Sequence, residues 1–116
     1  MSTWMRARTG HVSRRKTMDA LGPVVYAAQL ADGTIKIGWT EHFGDRLRAL
    51  KSHTGQDVEL LAFKQGSFED EQAIHAALVE HREHITVQAR EYYRPSAEVL
   101  AVVNSMRAGL GMPDVA

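Results

Sequence analysis

The 116-residue chain has no cysteine. That excludes a disulfide framework and a thiolate zinc site, and it suits a reducing compartment. No stretch approaches the ~20 consecutive apolar residues that a membrane-spanning helix needs. The basic N-terminal stretch has no apolar core of the kind a secretory signal carries, so a cytoplasmic protein is expected. Net charge is lacking too, with 14 basic and 14 acidic side chains. Internal repeats and low-complexity tracts are missing, which argues against a solenoid or an array. What remains is the length of one ordinary domain, enough to bury a core without staples.

The zero net charge hides an asymmetry. Residues 1–18 hold five basic side chains (Arg6, Arg8, Arg14, Arg15 and Lys16) and no acid. The other 98 residues carry nine basic against 14 acidic side chains, a net of −5. A basic arm on an acidic body suggests that the arm supplies much of any phosphate attraction. The competing reading is a solvated tail with no partner. Residues 1–21 are therefore taken as an arm, residues 22–110 as the domain, punctuated at its start by Gly22-Pro23, and residues 111–116 as a C-terminal tail.

Val24 to Leu30 and Thr34 to Trp39 alternate as strands do, with Ala31-Asp32-Gly33 between them. The triplet predicts a three-residue loop, a type I turn with Gly33 left-handed as a bulge. That loop pairs Leu30 with Thr34, Ala28 with Lys36 and Tyr26 with Gly38. One face then holds Val25, Ala27, Ile35, Ile37 and Trp39; the other holds Tyr26, Ala28, Lys36 and Gly38. A slip of one residue would put Tyr26 among the isoleucines. Thr40 is the expected N-cap of a helix from about Glu41 to His53, closed by Gly55 and buried along Phe43, Leu47 and Leu50. Asp57 to Lys64 reads as a third strand. Ser67, with Asp70 three residues on, opens a second helix to about His84, with Phe68, Ile74, Ala77, Leu78 and His81 inward. Val87 to Tyr93 is irregular or a short strand. Pro95-Ser96 starts a last helix through Val99, Leu100, Val103 and Met106 to Gly109. The order β-β-α-β-α-(β)-α predicts a mixed α/β (α+β) domain with a small, mostly antiparallel three-stranded sheet flanked by helices.

Five positions stand out for chemistry: Tyr26, Lys36, Arg46, Glu71 and His75. Each also has a plain structural reading. Tyr26 is a strand aromatic, Lys36 an edge-strand charge that discourages aggregation, and Arg46 a surface helix charge. Glu71 belongs to an acidic first turn that the helix dipole favours, and His75 sits one turn later on the same face. A zinc site from His75, His81 and His84 fails on spacing, because the three do not share a helical face.

Taken in order, the strings Val24-Val25-Tyr26, Lys36-Ile37-Gly38, Asp45-Arg46-Leu47 and Glu71 to His75 resemble the GIY-YIG nuclease superfamily. The branch resembled has Lys-Ile-Gly followed by Thr (here Thr40), a Glu-x-x-aliphatic-His helix, and a late aromatic motif (here Glu91-Tyr92-Tyr93). The likeness covers about residues 24–103. It implies a metal-dependent endonuclease acting on DNA, with RNA as the other candidate polymer. It also implies one Mg²⁺ or Mn²⁺ ion held by Glu71, weakly in the absence of substrate, because one carboxylate makes a poor site by itself. Arg46 would fork onto the phosphate and stabilise the developing charge. Tyr26 would accept a proton, directly or through water. A tyrosine ordinarily titrates near ~10, so this role needs the help of Lys36 and the metal. His75, Thr40 and His42 are expected in supporting or phosphate-contacting places, and Arg48 joins the arm as a nucleic-acid contact. Lys36 stands where the family has its second Tyr, Trp39 where relatives usually have a basic residue, and Leu50 where several branches have Tyr or His. Those departures keep a second reading open, the same fold binding nucleic acid or protein without turnover. A homodimer or a partner protein is expected, because the acidic body is small for a long duplex.

Overall fold

The first hairpin sets the register of everything else. Strands β1 (Val24–Leu30) and β2 (Ile35–Thr40) run antiparallel, with Ala28 opposite Lys36 and Tyr26 opposite Gly38. The computed structural model describes residues 20–81 and 92–115, and the expected three-residue loop closes this hairpin. Gly33 N–H donates to Leu30 O at 2.9 Å, Leu30 N–H donates to Thr34 O at 2.9 Å, and Gly33 has φ +94°. Asp32 fastens the loop by accepting from the backbone and the hydroxyl of Thr34 and from Gln56. Those bonds, the Thr34 hydroxyl first, hold its carboxyl below the ordinary aspartate value.

The sheet has four strands rather than three, in the order β3-β1-β2-β4, every pair antiparallel. Strand β3 (Val58–Gln65) lies beside β1, shifted one residue from the expected span. A bulge between Ala27 and Ala28 leaves Leu61 unopposed. The extra residue lets Leu61 and Ala62 both join one core cluster while Phe63 turns back to the other. Strand β4 is only Tyr92–Tyr93, paired with Lys36 and Ile35 respectively. Central β1 is covered on both faces, so Val24, Val25, Tyr26, Ala27 and Ala28 are all 0–1% exposed.

Two hydrophobic layers follow from the alternation of side chains along these strands. The first gathers Val25, Ala27, Ile35, Ile37, Tyr93, Leu78, Val99 and Val103, with Trp39 and Ile74 against them. The second gathers Val24, Tyr26, Ala28, Phe43, Leu50 and Phe63, with Leu47 and Tyr92. Helix α1 (Phe43–Thr54) covers the second layer and ends, as expected, at a left-handed Gly55 with φ +69°. It begins two residues later than predicted. Thr40 is still in β2, 3% exposed, and its hydroxyl accepts the His42 N–H at 2.9 Å. The N-cap is therefore His42, without a side-chain cap bond.

Helix α2 (Phe68–Ala77) opens with the expected capping box: Ser67 Oγ accepts the Asp70 N–H, and Asp70 Oδ2 accepts the Ser67 N–H. It stops at Ala77 instead of reaching His84, because the Leu78 N–H is shared between Ile74 O and His75 O and a tighter 3₁₀ turn follows at Val79–His81. Its buried stripe also differs from the prediction. Phe68 is 50% exposed and Ala77 exposed, whereas Glu71, His75 and Leu78 are 3–5% exposed. Helix α3 (Ala97–Gly109) is capped by Ser96, whose side chain accepts the Val99 N–H, and it packs on β3 through Val99, Val103 and Met106. Residues of the expected tail fold back on α3: Asn104 Oδ1 accepts the Val115 N–H at 2.7 Å, and Arg107 reaches Pro113 O and Leu61 O. Among the described residues no helix is long and apolar enough to cross a membrane. The arm side chains Arg6, Arg8, Arg14, Arg15 and Lys16, together with His84 and Glu91, lie outside the described residues.

Candidate active site

Tyr26 lies across Gly38. A Cβ at position 38 would stand 2.6 Å from Tyr26 Oη, 2.7 Å from Cζ and 2.9 Å from Cε1. No side chain fits there, which explains the glycine without appeal to its backbone freedom. The ring is 1% exposed and packs on Phe43 at 5.7 Å between centroids, and Phe43 in turn packs on Phe63 at 5.2 Å. Lys36 shares this face two residues before Gly38, so it is the diagonal neighbour of Tyr26 in the register. Its Nζ stands 5.0 Å above the centre of the Tyr92 ring. That cation–π contact fixes where the amine sits.

Arg46 is on α1, one turn after Phe43; its backbone N–H donates to His42 O at 2.9 Å, and its side chain is exposed. The guanidinium forms no ion pair among the described residues. Arg48 is 67% exposed and pairs with Asp45 at 3.4 Å, a contact too open to hold it firmly. His42 is exposed at the helix start, beside the buried Thr40. Tyr26 and Lys36 form one group on the α1 side of the sheet, and Arg46, Arg48 and His42 lie on α1 or at its start.

Glu71 lies on α2, three residues before Ile74, which packs against the first layer. It is 3% exposed, and its Oε2 is 3.7 Å from Nε2 of His75, itself 5% exposed. Glu71 Oε1 accepts from Gln72 Nε2 at 3.0 Å. His75 Nδ1 shares a hydrogen bond with the Tyr93 hydroxyl, and the two rings are 14° from parallel with centroids 5.6 Å apart. Tyr93, fully buried on β4, was missed by the sequence reasoning, which noted the late aromatic motif but gave it no role. Its sequence signal is the adjacent pair Tyr92-Tyr93, which strand alternation sends to opposite faces. Strand β4 thereby touches both groups: Tyr92 lies under Lys36 and Tyr93 meets His75.

No cluster of three or more His, Asp or Glu side chains suited to an ion occurs among the described residues. Of the three zinc candidates, His75 is engaged with Tyr93 and Glu71, His81 faces Ser96 and Glu98, and His84 lies outside the described residues. Glu71 alone offers a buried anionic oxygen pair. It fits a cation whose remaining ligands are water and substrate oxygens, and it does not fit a closed protein cage. Trp39 is also accounted for structurally, since its Nε1 donates to Gly66 O at 3.0 Å and its ring meets Phe68 edge-on at 5.9 Å.

The model of the T5orf172 domain matches residues 23–107. This chain belongs to the T5orf172 domain family. That family is nuclease-related, so the domain is of a nuclease-like or DNA-binding kind. The T5orf172 match starts just before β1 and runs into the last turn of α3, so it spans both the Tyr26–Gly38–Lys36 group and the Glu71–His75 pair. No curated protein and no solved structure matches the chain.

Proposed function

We propose that this T5orf172 domain is an endonuclease of the GIY-YIG kind that hydrolyses DNA phosphodiester bonds with one Mg²⁺ or Mn²⁺ ion at Glu71. The observation that carries the reading is the burial of Glu71. A carboxylate at 3% exposure, three residues before Ile74 on α2, stands where an aliphatic side chain would stabilise the domain more. Gln72 and His75 offset part of that cost. A function that needs a buried anion accounts for it. A divalent cation bound there supplies Lewis-acid stabilisation of charge on the phosphoryl oxygens.

The chain's own residues supply the rest. The exposed Arg46 guanidinium forks onto the non-bridging oxygens of the scissile phosphate and stabilises the charge that grows on attack. Tyr26 takes a proton from the attacking water, with the Lys36 ammonium on the same face favouring the anionic phenol. The Lys36–Tyr92 contact keeps that amine in place. The basic arm adds phosphate contacts that do not depend on sequence.

A second reading, nucleic-acid binding without turnover, has one observation behind it. Tyr26 is 1% exposed under Phe43, as a core aromatic is. Plasmid nicking separates the two. Relaxation of supercoiled DNA that requires Mg²⁺ or Mn²⁺ supports the enzyme; DNA binding with no relaxation under either ion supports the binding module.

A further inference from the structure

We propose that Tyr93 is a positioning residue, whose hydroxyl donates to His75 Nδ1 and so holds the imidazole in the tautomer that presents Nε2–H to Glu71. The metal consequence drawn below rests on the endonuclease reading; the tautomer does not.

A neutral imidazole has one donor nitrogen and one acceptor nitrogen, and what one faces decides the other. Here both nitrogens have a known neighbour: Nδ1 the Tyr93 hydroxyl, and Nε2 the Glu71 Oε2 at 3.7 Å. A carboxylate oxygen only accepts. If Nδ1 carried the proton, the Nε2 lone pair would point at Glu71, and two acceptors would oppose each other at a buried site. If Nε2 carries the proton, the N–H dipole points at the carboxylate and Tyr93 donates into the vacant Nδ1 lone pair. The Tyr93 bond and the 3.7 Å contact with Glu71 then both run from donor to acceptor. The near-parallel rings, 14° apart with centroids 5.6 Å apart, bring the hydroxyl toward the imidazole edge, where that lone pair lies.

Tyr93 can do this because it is held rigidly. It is fully buried, sits on β4 opposite Ile35, and packs with the first layer against α2 and α3. The imidazole dipole in turn fixes which Glu71 oxygen faces inward. Gln72 Nε2 holds Oε1 at 3.0 Å, while Oε2 faces His75 Nε2 at 3.7 Å, an electrostatic contact longer than a hydrogen bond. A carboxylate oriented in this way needs less ordering to bind a cation, which is how outer partners of a metal ligand commonly act.

The test is long-range ¹H–¹⁵N correlation of the histidine side chains in the metal-free full chain, with His75 assigned through His75→Gln. Wild type should show His75 as the Nε2–H tautomer, and the Nδ1–H tautomer would overturn the proposal with no variant needed. Tyr93→Phe, which keeps the ring and removes only the hydroxyl, should raise the Nδ1–H population. Mn²⁺ titration of the same proteins should then show binding weakened about 10–100-fold in Tyr93→Phe. An unchanged tautomer together with unchanged Mn²⁺ affinity would also overturn it. If wild type binds no Mn²⁺ but His75 is Nε2–H and shifts in Tyr93→Phe, the positioning role stands and the endonuclease reading is what fails.

Discussion

Replacing Gly38 by alanine tests the closest approach in the candidate site. The new Cβ would stand 2.6–2.9 Å from three atoms of Tyr26, all ring carbons or the phenolic oxygen. Ordinary contacts between such atoms are ~3.5–4.0 Å, so the ring must retreat by about 1 Å. It has nowhere easy to go, because it is 1% exposed and packs on Phe43, which Phe63 backs in turn. Overpacking of this kind costs about 1–3 kcal/mol. For a domain of this size that lowers the melting temperature by about 5–15 °C. Displacing the phenol by about 1 Å should also reduce any cleavage roughly 100-fold. Urea melts give the stability term, and nicking rates at a temperature where the variant is folded give the catalytic one. Tyr26→Phe/Gly38→Ala should melt no higher than Gly38→Ala, because Cζ and Cε1 still clash. A Gly38→Ala protein within about 0.5 kcal/mol of wild type would refute the placement of Tyr26, since that is the scatter of neutral surface changes.

Further outcomes follow from the geometry. Ser67→Ala removes half of the capping box of α2 and should lower stability by about 1 kcal/mol in urea melts. Asp70 is held below its ordinary pKa by the Ser67 backbone N–H first and the Ser67 hydroxyl second. Its contribution is therefore complete above the unfolded-state value and is lost as pH falls through the lower folded value. Asp70→Asn should be less stable than wild type at pH 7, with the gap closing below about pH 4 in pH-dependent melts. A double-mutant cycle with Lys36→Met and Tyr92→Leu should give a coupling of about 0.5–1 kcal/mol for the cation–π contact. Deleting residues 1–18 should weaken DNA binding and flatten its salt dependence, by about 0.9 in log–log slope for each phosphate that the arm neutralises; fluorescence anisotropy across a salt series reads both.

The hairpin was legible because two local signals agree. Ala31-Asp32-Gly33 asks for a left-handed Gly33, and the alternation of Val25, Ala27, Ile35 and Ile37 admits one register only. Helix α2 was less legible. Its periodicity admits two rotations, and hydrophobicity favours the one that buries Phe68 and Ala77. The fold instead buries Glu71 and His75 and leaves Phe68 half out against Trp39. A buried carboxylate runs against the local rule, and such a conflict points to function. Thr40 misled because a good capping residue was needed sooner by the strand. Tyr93 was hidden because its partner is 18 residues away on another element, and no local pattern encodes that contact.

The central claim is that Glu71 and Arg46 serve metal-dependent phosphodiester cleavage. Nicking of supercoiled plasmid by wild type, Glu71→Gln and Arg46→Ala, with Mg²⁺, with Mn²⁺ and with EDTA, tests it most directly. Wild type should relax the plasmid with either ion and not with EDTA. Each variant should cleave about 100-fold more slowly, or slower still, while its circular dichroism stays unchanged. Cleavage that persists in both variants, or DNA binding by wild type with no cleavage under any ion, would contradict the claim.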